Sequence, residues 1–449
     1  MLILLPAVMA ALLSGMNAFV AIGGVPVLIA LLASATGSFD LALLNAVPAR
    51  LTGIMENTVL TAVPLFVLMG AVLERSGIAT AMIEAMTRAA SGSARKLSLS
   101  ILALSAILAA ATGVVGATIV MLATIALPGL LAAGISKSRA AGLVCASGTL
   151  GQIIPPSVLL LLLSDQVSNA WLQSQRQSGN FAADPVTASD LFAAAIIPGL
   201  VLVALYAIWL VAGPVSRSDE NISANQSTTA TNPSSWIVPM LLPVLLVVMV
   251  LGSILAGIAT PTEAASIGAF GTVLMAVLRG GQSLWNALWL AAIDTIRLTG
   301  AIFAIVIAAS LLSLVFRGLD GDLAVDALLL HLPGGQIAAL ALVMLVIFVL
   351  GFFLEFVEII YIVVPVAAPA LFAAGVDPVW FAVLVAMNLQ TSFLTPPFGL
   401  SLFYFRSAAP QVATLEIWRS VAPYILLQLA GLALVAAVPA LATFLPSQL

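Results

Sequence analysis

Charge is what this chain has least of. Lys, Arg, Asp and Glu together make up 7% of its 449 residues, against about 25% in an ordinary soluble domain. Fourteen Lys and Arg and 18 Asp and Glu cannot coat a globule of this size, so water is excluded as its main solvent. One cysteine, Cys145, excludes an internal disulfide. One histidine, His331, beside Pro333-Gly334-Gly335, excludes a His-built metal site or a full Ser-His relay and reads as a loop residue. A net charge of −4 and a pI near 4.9 leave no basic face for nucleic acid. The chain has no GxxxxGK[ST] loop to hydrolyse ATP and no HExxH, and most Asp residues fall in loops, which removes the intramembrane protease classes. What is present is apolar: 62% hydrophobic residues and a mean hydropathy of +1.22. At roughly 20 apolar residues per crossing the length allows about a dozen spans, and the runs do not alternate as barrel strands do. The reading is an all-α polytopic membrane protein, and no enzyme.

The start, MLILLPAVMAALLSGMNAFVAIGGVPVLIALL, lacks a basic segment and outruns the core of a cleaved signal, so it reads as a retained helix kinked around Gly23, Gly24 and Pro26. Residues 214–236 are rich in Ser, Thr and Asn and have nothing to bury, which predicts a polar linker between halves 1–213 and 237–449. A second polar loop spans 164–190, where Asp190 is placed to cap the next helix. Arg95-Lys96 makes the 90–96 loop the best cytoplasmic candidate.

Placing Pro155-Pro156 on Pro396-Pro397 sets an offset of 241 residues. Without a gap, that offset also superposes Pro128 on Pro369, Ala132-Ala133-Gly134 on Ala373-Ala374-Gly375, and Leu143-Val144 on Leu384-Val385. About 11 of the 34 positions from 124 to 157 match. Repeated halves whose apolar segments are interrupted at corresponding places point to a secondary transporter, with its site where helices break near the midplane. Two consecutive prolines remove two amide donors and force the helix to unwind before them. Carbonyls freed at bilayer depth must line a cavity or bind something, and a dehydrated Na⁺ suits a ring of them. Breaks are thus predicted near 140–163 and 379–405. Upstream of each, AATGVVGAT (110–118) and GFFLEFVEI (351–359) interrupt long apolar runs, predicting re-entrant hairpins near 97–133 and 340–374 with tips facing the breaks. A channel would need a continuous pore rather than two such clamps.

PLFVLMGAVLERSGIA (64–79), CASGTLGQIIPPS (145–157), ATPTEAASIGA (259–269) and NLQTSFLTPPFGLSLF (388–403), in this order along nearly the whole chain, resemble the large permease subunit of tripartite ATP-independent periplasmic (TRAP) transporters. The wording FLEFVEI and QTSFLTPPFGLSLFYFR is similar to the branch labelled mannitol/chloroaromatic type. The resemblance implies a multi-pass protein of the bacterial inner membrane with an inverted-repeat, elevator-type fold. It implies Na⁺-coupled import of a small organic acid, possession of a small four-helix membrane subunit and a periplasmic binding protein as partners, and no cofactor beyond Na⁺ as coupling ion. Carried onto this chain, the second Na⁺ site takes carbonyls around Gly351, Ser392, Thr395 and Phe398. The offset then nominates Ala110 or Thr112, Gly151, Ile154 and Ser157 for the first. The substrate is expected at the tips and breaks, at Thr112, Gly113, Pro155, Pro156, Asn388, Pro396 and Pro397. Many relatives carry Ser-Gly-Ser-Ser at the first tip, where this chain reads Thr112-Gly113-Val114-Val115-Gly116. Two hydroxyls fewer imply a less polar ligand than a dicarboxylate, such as a 2-oxo or other monocarboxylic acid.

Glu355 and Glu358 stand in an otherwise apolar stretch, and carboxylates at such depth are functional candidates. Their i, i+3 spacing puts both on one face if the segment is helical. They are read either as ion ligands, with proton coupling the alternative to Na⁺, or as structural anchors. Asp294 and Arg297 are also spaced to pair, Glu74-Arg75 ends a helix facing solvent or a partner, and Thr260-Pro-Thr-Glu263 reads as a helix-starting capping box.

Overall fold

The computed structural model describes residues 3–89, 93–112, 115–213, 234–280 and 283–448. Helices are the main secondary structure of these residues, and seven of them are long and apolar enough to cross a membrane. The rest of the apolar sequence is cut into shorter helices, because Gly and Pro interrupt the runs that length alone would allow to cross. The first run is a case in point. It divides into helices Leu4–Leu13 and Val25–Ala35 rather than one kinked helix, with a π-helical turn at Val20–Gly24 where the kink was expected. Most of the predicted linker, 214–233, lies outside the described residues, and helix Ser234–Leu255 begins within its predicted end.

Three long helices form a fixed-looking frame. Thr58–Arg75 and Pro261–Arg279 run in the same direction, tied at one end by the Thr262 hydroxyl donating to the Thr58 carbonyl (2.8 Å) and at the other by Arg279 donating to the Gly77 carbonyl (2.8 Å). Thr260 and Glu263 cap the second reciprocally, Glu263 accepting from the Thr260 amide at 2.8 Å and Thr260 accepting from the Glu263 amide at 3.3 Å. The third, Leu284–Gly318, is a 35-residue wall packed against Thr58–Arg75.

Against the wall lies a second body made of two similar units. In the first, a hairpin of Ala94–Thr112 and Val115–Ala132 precedes a broken helix, Lys137–Thr149 and Val158–Gln177, parted by a short turn at Leu150–Gln152. In the second, a hairpin of Gly335–Leu350 and Phe356–Ala373 precedes Pro378–Leu394 and Leu400–Ala408. Both Pro-Pro peptide bonds are cis. The broken helices start at opposite ends of helix Thr414–Ala437: Gly142 lies against Ser420, whereas the Trp380 indole donates to the Val435 carbonyl (2.9 Å). The two hairpins therefore enter from opposite faces. Val158 to Leu163, apolar all round, is the centre of this body and packs against the second hairpin's Phe356–Ala373 arm.

The repeat offset reappears as a contact. The Gln390 amide donates to the Thr149 hydroxyl at 3.4 Å, and these residues are 241 apart in sequence. Equivalent positions of two repeats meet one another only on the axis that relates them.

Candidate functional site

The double prolines leave the carbonyls of Gly151 and Gln152, and of Ser392 and Phe393, without the donors a continuous helix supplies. Two serines answer at repeat-equivalent carbonyls, though not from equivalent positions themselves: Ser157 donates to the Gln152 carbonyl (3.0 Å) and Ser401 to the Phe393 carbonyl (2.6 Å). The Ser392 carbonyl accepts from the Thr395 amide (3.1 Å).

In the second unit the hairpin tip is lodged on the break. A methyl group added to Gly351 would run into the Ser392 side chain, so only glycine permits this approach. Phe353 of the tip packs its ring on Phe398, centroids 5.2 Å apart, and Gly399 donates to the Thr395 carbonyl (3.0 Å). Gly351, Ser392, Thr395 and Phe398 thus come together around one tip. The Asn388 amide is already used, donating to the Met344 carbonyl at 2.7 Å across hairpin and helix. In the first unit, helix Ala94–Thr112 packs on the turn at Leu150–Gln152. Gly151, Ser157, Pro155 and Pro156 are buried there, while Ile154 contacts the Gly199 region of helix Ala188–Ala212. Thr112 ends its helix, but its side chain and that of Ala110, like Gly113 and Val114, lie outside the described residues.

Between the tips and the wall is an inner cavity of about 120 Å³. The wall contributes Leu298, Ala301, Ile302 and Ile305, and the breaks contribute Gln152 and Phe393. Pro155, Pro156, Asn388, Pro396 and Pro397 are not among its lining residues. Gln152 and Phe393 are themselves repeat-equivalent, and the Gln152 side-chain amide is buried with no hydrogen-bond partner among the described residues, as a group available to a ligand would be. Tyr404, closing one side, lies so near Gly116 that a Cβ there would sit 2.9 Å from its ring, and its hydroxyl donates to Glu355 (3.2 Å).

The structure parts the two glutamates. Glu355 has extended backbone and stands just before the helix, so the pair does not share a helical face. Glu358 turns back to accept from the Glu355 amide at 3.1 Å in a reciprocal capping box at the start of the Phe356–Ala373 helix, and of the two only Glu355, the N-cap residue, also lines the cavity. The expected Asp294–Arg297 pair is likewise replaced: Asp294 pairs with Arg75 across two frame helices at 2.6 Å, because the packing of those helices sets the end of Thr58–Arg75 beside Asp294. Arg297 instead lines a vestibule of about 510 Å³ with Glu74 and Glu355, which shares Leu298, Ala301 and Glu355 with the inner cavity.

Two inverted hairpins facing two broken helices, with a small cavity at their tips, define a secondary transporter rather than a channel or a soluble binding module. The chain belongs to the DctM family: residues 3–441 match the family described as "Tripartite ATP-independent periplasmic transporter, DctM component". It is similar to the C4-dicarboxylate TRAP transporter large permease protein DctM of Rhodobacter capsulatus, 28% identical over 89% of each chain. It is 24% identical to the 2,3-diketo-L-gulonate TRAP transporter large permease protein YiaN of Escherichia coli K12, over 82% of this chain and 81% of that one. The crystal structure of the Alcanivorax borkumensis YdaH transporter has a similar fold, with a TM-score of 0.63, 15% identity and 88% of each chain covered. The chain is therefore a large permease component of the inner membrane, and its relatives are permeases.

Proposed function

We propose that this chain is the large subunit of a Na⁺-coupled importer of a small organic acid, handed over by a periplasmic binding protein and assembled with a small four-helix membrane subunit. The hairpins and broken helices move together along the wall helix as an elevator. The observation that carries the Na⁺ reading is the Gly351 tip lodged on Ser392, where the helix break gathers hard, neutral carbonyl oxygens around one tip, those of Ser392 and Thr395 each accepting one amide and keeping a second lone pair. Such a donor set fits Na⁺, held by carbonyls of Gly351, Ser392, Thr395 and Phe398 and, in the first unit, around Gly151, Ile154 and Ser157. Bound Na⁺ supplies positive charge at the tips, which favours a carboxylate beside them. The Gln152 amide and the mostly apolar lining support a small monocarboxylic or 2-oxo acid. The relatives named for C4-dicarboxylates and 2,3-diketo-L-gulonate support the coarser part of this reading, a small organic acid.

Proton coupling is the second reading, because the Glu355 carboxylate faces both cavity and vestibule. Uptake by proteoliposomes holding all three components separates the two. A Na⁺ gradient is expected to drive accumulation; accumulation under a proton gradient without Na⁺ would overturn the Na⁺ reading.

A further inference from the structure

A third cavity, of about 350 Å³, lies at the other end of the same wall. Along Leu284–Gly318 the vestibule touches 294–301, the inner cavity 298–305 and this pocket 306–317. From Asp294 to Arg317 is roughly 35 Å at ~1.5 Å per residue, so the vestibule and the pocket open toward opposite membrane faces. Arg95, Lys96, Lys137 and Arg139 cluster at the mouth of the first hairpin, on the vestibule side. The positive-inside rule makes that side cytoplasmic and the third pocket periplasmic.

The pocket is built from polar groups. Arg50 and Arg317 both line it. Arg50 donates only to the Ser310 carbonyl (3.3 Å) and Arg317 to the Gln173 side chain (2.6 Å), and neither has a described carboxylate within ion-pair distance. Asp165, in the same pocket, spends its oxygens on the Asn57 and Gln166 amides, both at 2.8 Å. Across from the wall, the second hairpin contributes Tyr361, 5% exposed, whose hydroxyl has no hydrogen-bond partner. Two guanidinium groups without counter-ions and a buried spare hydroxyl make a receptor for an anion. The charges are also lopsided. Two cations outnumber one carboxylate here, whereas three carboxylates outnumber two cations in the vestibule.

We propose that the Arg50–Arg317 pocket is a capture site for the carboxylate of the transported acid, filled before the acid reaches the tips. The acidic vestibule at the far end then favours its departure, since an anion is drawn to one mouth and repelled from the other. This rests on the organic-acid reading above. Ser313 lines the pocket and Cys145 is fully buried, so a Ser313→Cys substitution supplies a single reactive thiol. In neutral detergent, and with each rate divided by the same reagent's rate toward a small free thiol, a sulfonate-bearing methanethiosulfonate is expected to label it about tenfold faster than a trimethylammonium one. Succinate or pyruvate should slow that labelling. Arg50→Gln/Arg317→Gln should abolish both effects and raise the KM of uptake several-fold with little change in maximal rate, while Arg50→Lys/Arg317→Lys retains the charge preference.

Equal normalised labelling rates, or no slowing by either acid, would overturn the proposal. So would slowing by phosphatidylglycerol nanodiscs alone, which marks a headgroup pocket, or an unchanged KM in the Gln variant. Slowing by the acids with no acid uptake by the assembled transporter would instead sink the transport reading and leave the anion pocket standing.

Discussion

Gly351 and Ser392 have opposite tolerances although they touch. A methyl on Gly351 has nowhere to go but into Ser392, so Gly351→Ala should lift the hairpin tip and reduce apparent Na⁺ affinity of uptake at least tenfold. The Ser392 hydroxyl donates only to the Leu389 carbonyl of its own helix (2.9 Å), so Ser392→Ala should leave Na⁺ dependence nearly unchanged. Na⁺ titrations of uptake test the pair; if Ser392→Ala alone removes Na⁺ dependence, the ion is held by the hydroxyl and not by carbonyls. Thr149 is the single hydroxyl that accepts from both the Gln390 (3.4 Å) and Gln428 (3.3 Å) amides, all three buried. Thr149→Val strands those donors and should cost about 1–3 kcal/mol of stability, read as a lowered thermal midpoint. The prolines named this neighbourhood from sequence, but not Gln152 or Phe393, which line the cavity three residues before each Pro-Pro pair. Their shared repeat position was a visible signal; an unpartnered amide is visible only once its surroundings are folded around it.

At the scale of elements, helix breaks were legible because a double proline has a local and unavoidable effect on hydrogen bonding. Capping was legible for the same reason at Thr260-Glu263, a short-range exchange of bonds. The Glu355-Glu358 pair was not, since the same spacing serves a helical face or a helix start, and the chain's path before Phe356 decides between them. If Glu358 is a cap, Glu358→Gln retains the accepted amide bond and should support normal coupling. Glu358→Ala should lose about 1 kcal/mol of stability. Proton-gradient uptake and thermal unfolding of both variants check this, and a change of coupling ion in Glu358→Gln would contradict it.

For the whole molecule, the separation of a wall from a two-unit body has a mechanical consequence. If the body slides, joining Leu298→Cys on the wall to Phe356→Cys on the second hairpin, both of which line the inner cavity, with a short bifunctional thiol reagent should stop uptake, and reduction of a cleavable linker should restore it. Full uptake by a completely crosslinked sample would rule the elevator out. The exposed apolar residues on the frame, among them Trp285, Leu278 and Phe270 at 70–81% exposure, give the frame a surface suited to lipid or to a membrane partner.

The sequence alone determined the solvent, the repeat and the places where helices must break, because composition and proline act through the residue itself or its immediate neighbours. Only the tertiary structure decided that the two glutamates start a helix and that Glu355 alone of them lines the cavity, that Arg75 rather than Arg297 takes Asp294, and that the wall is acidic at one mouth and cationic at the other. Those outcomes depend on groups distant in sequence, such as Arg50 and Arg317, brought to one cavity by packing. The scarcity of charge made this consequential: in a chain with so few ionised groups, the location of each one sets the field an anion meets on its way across.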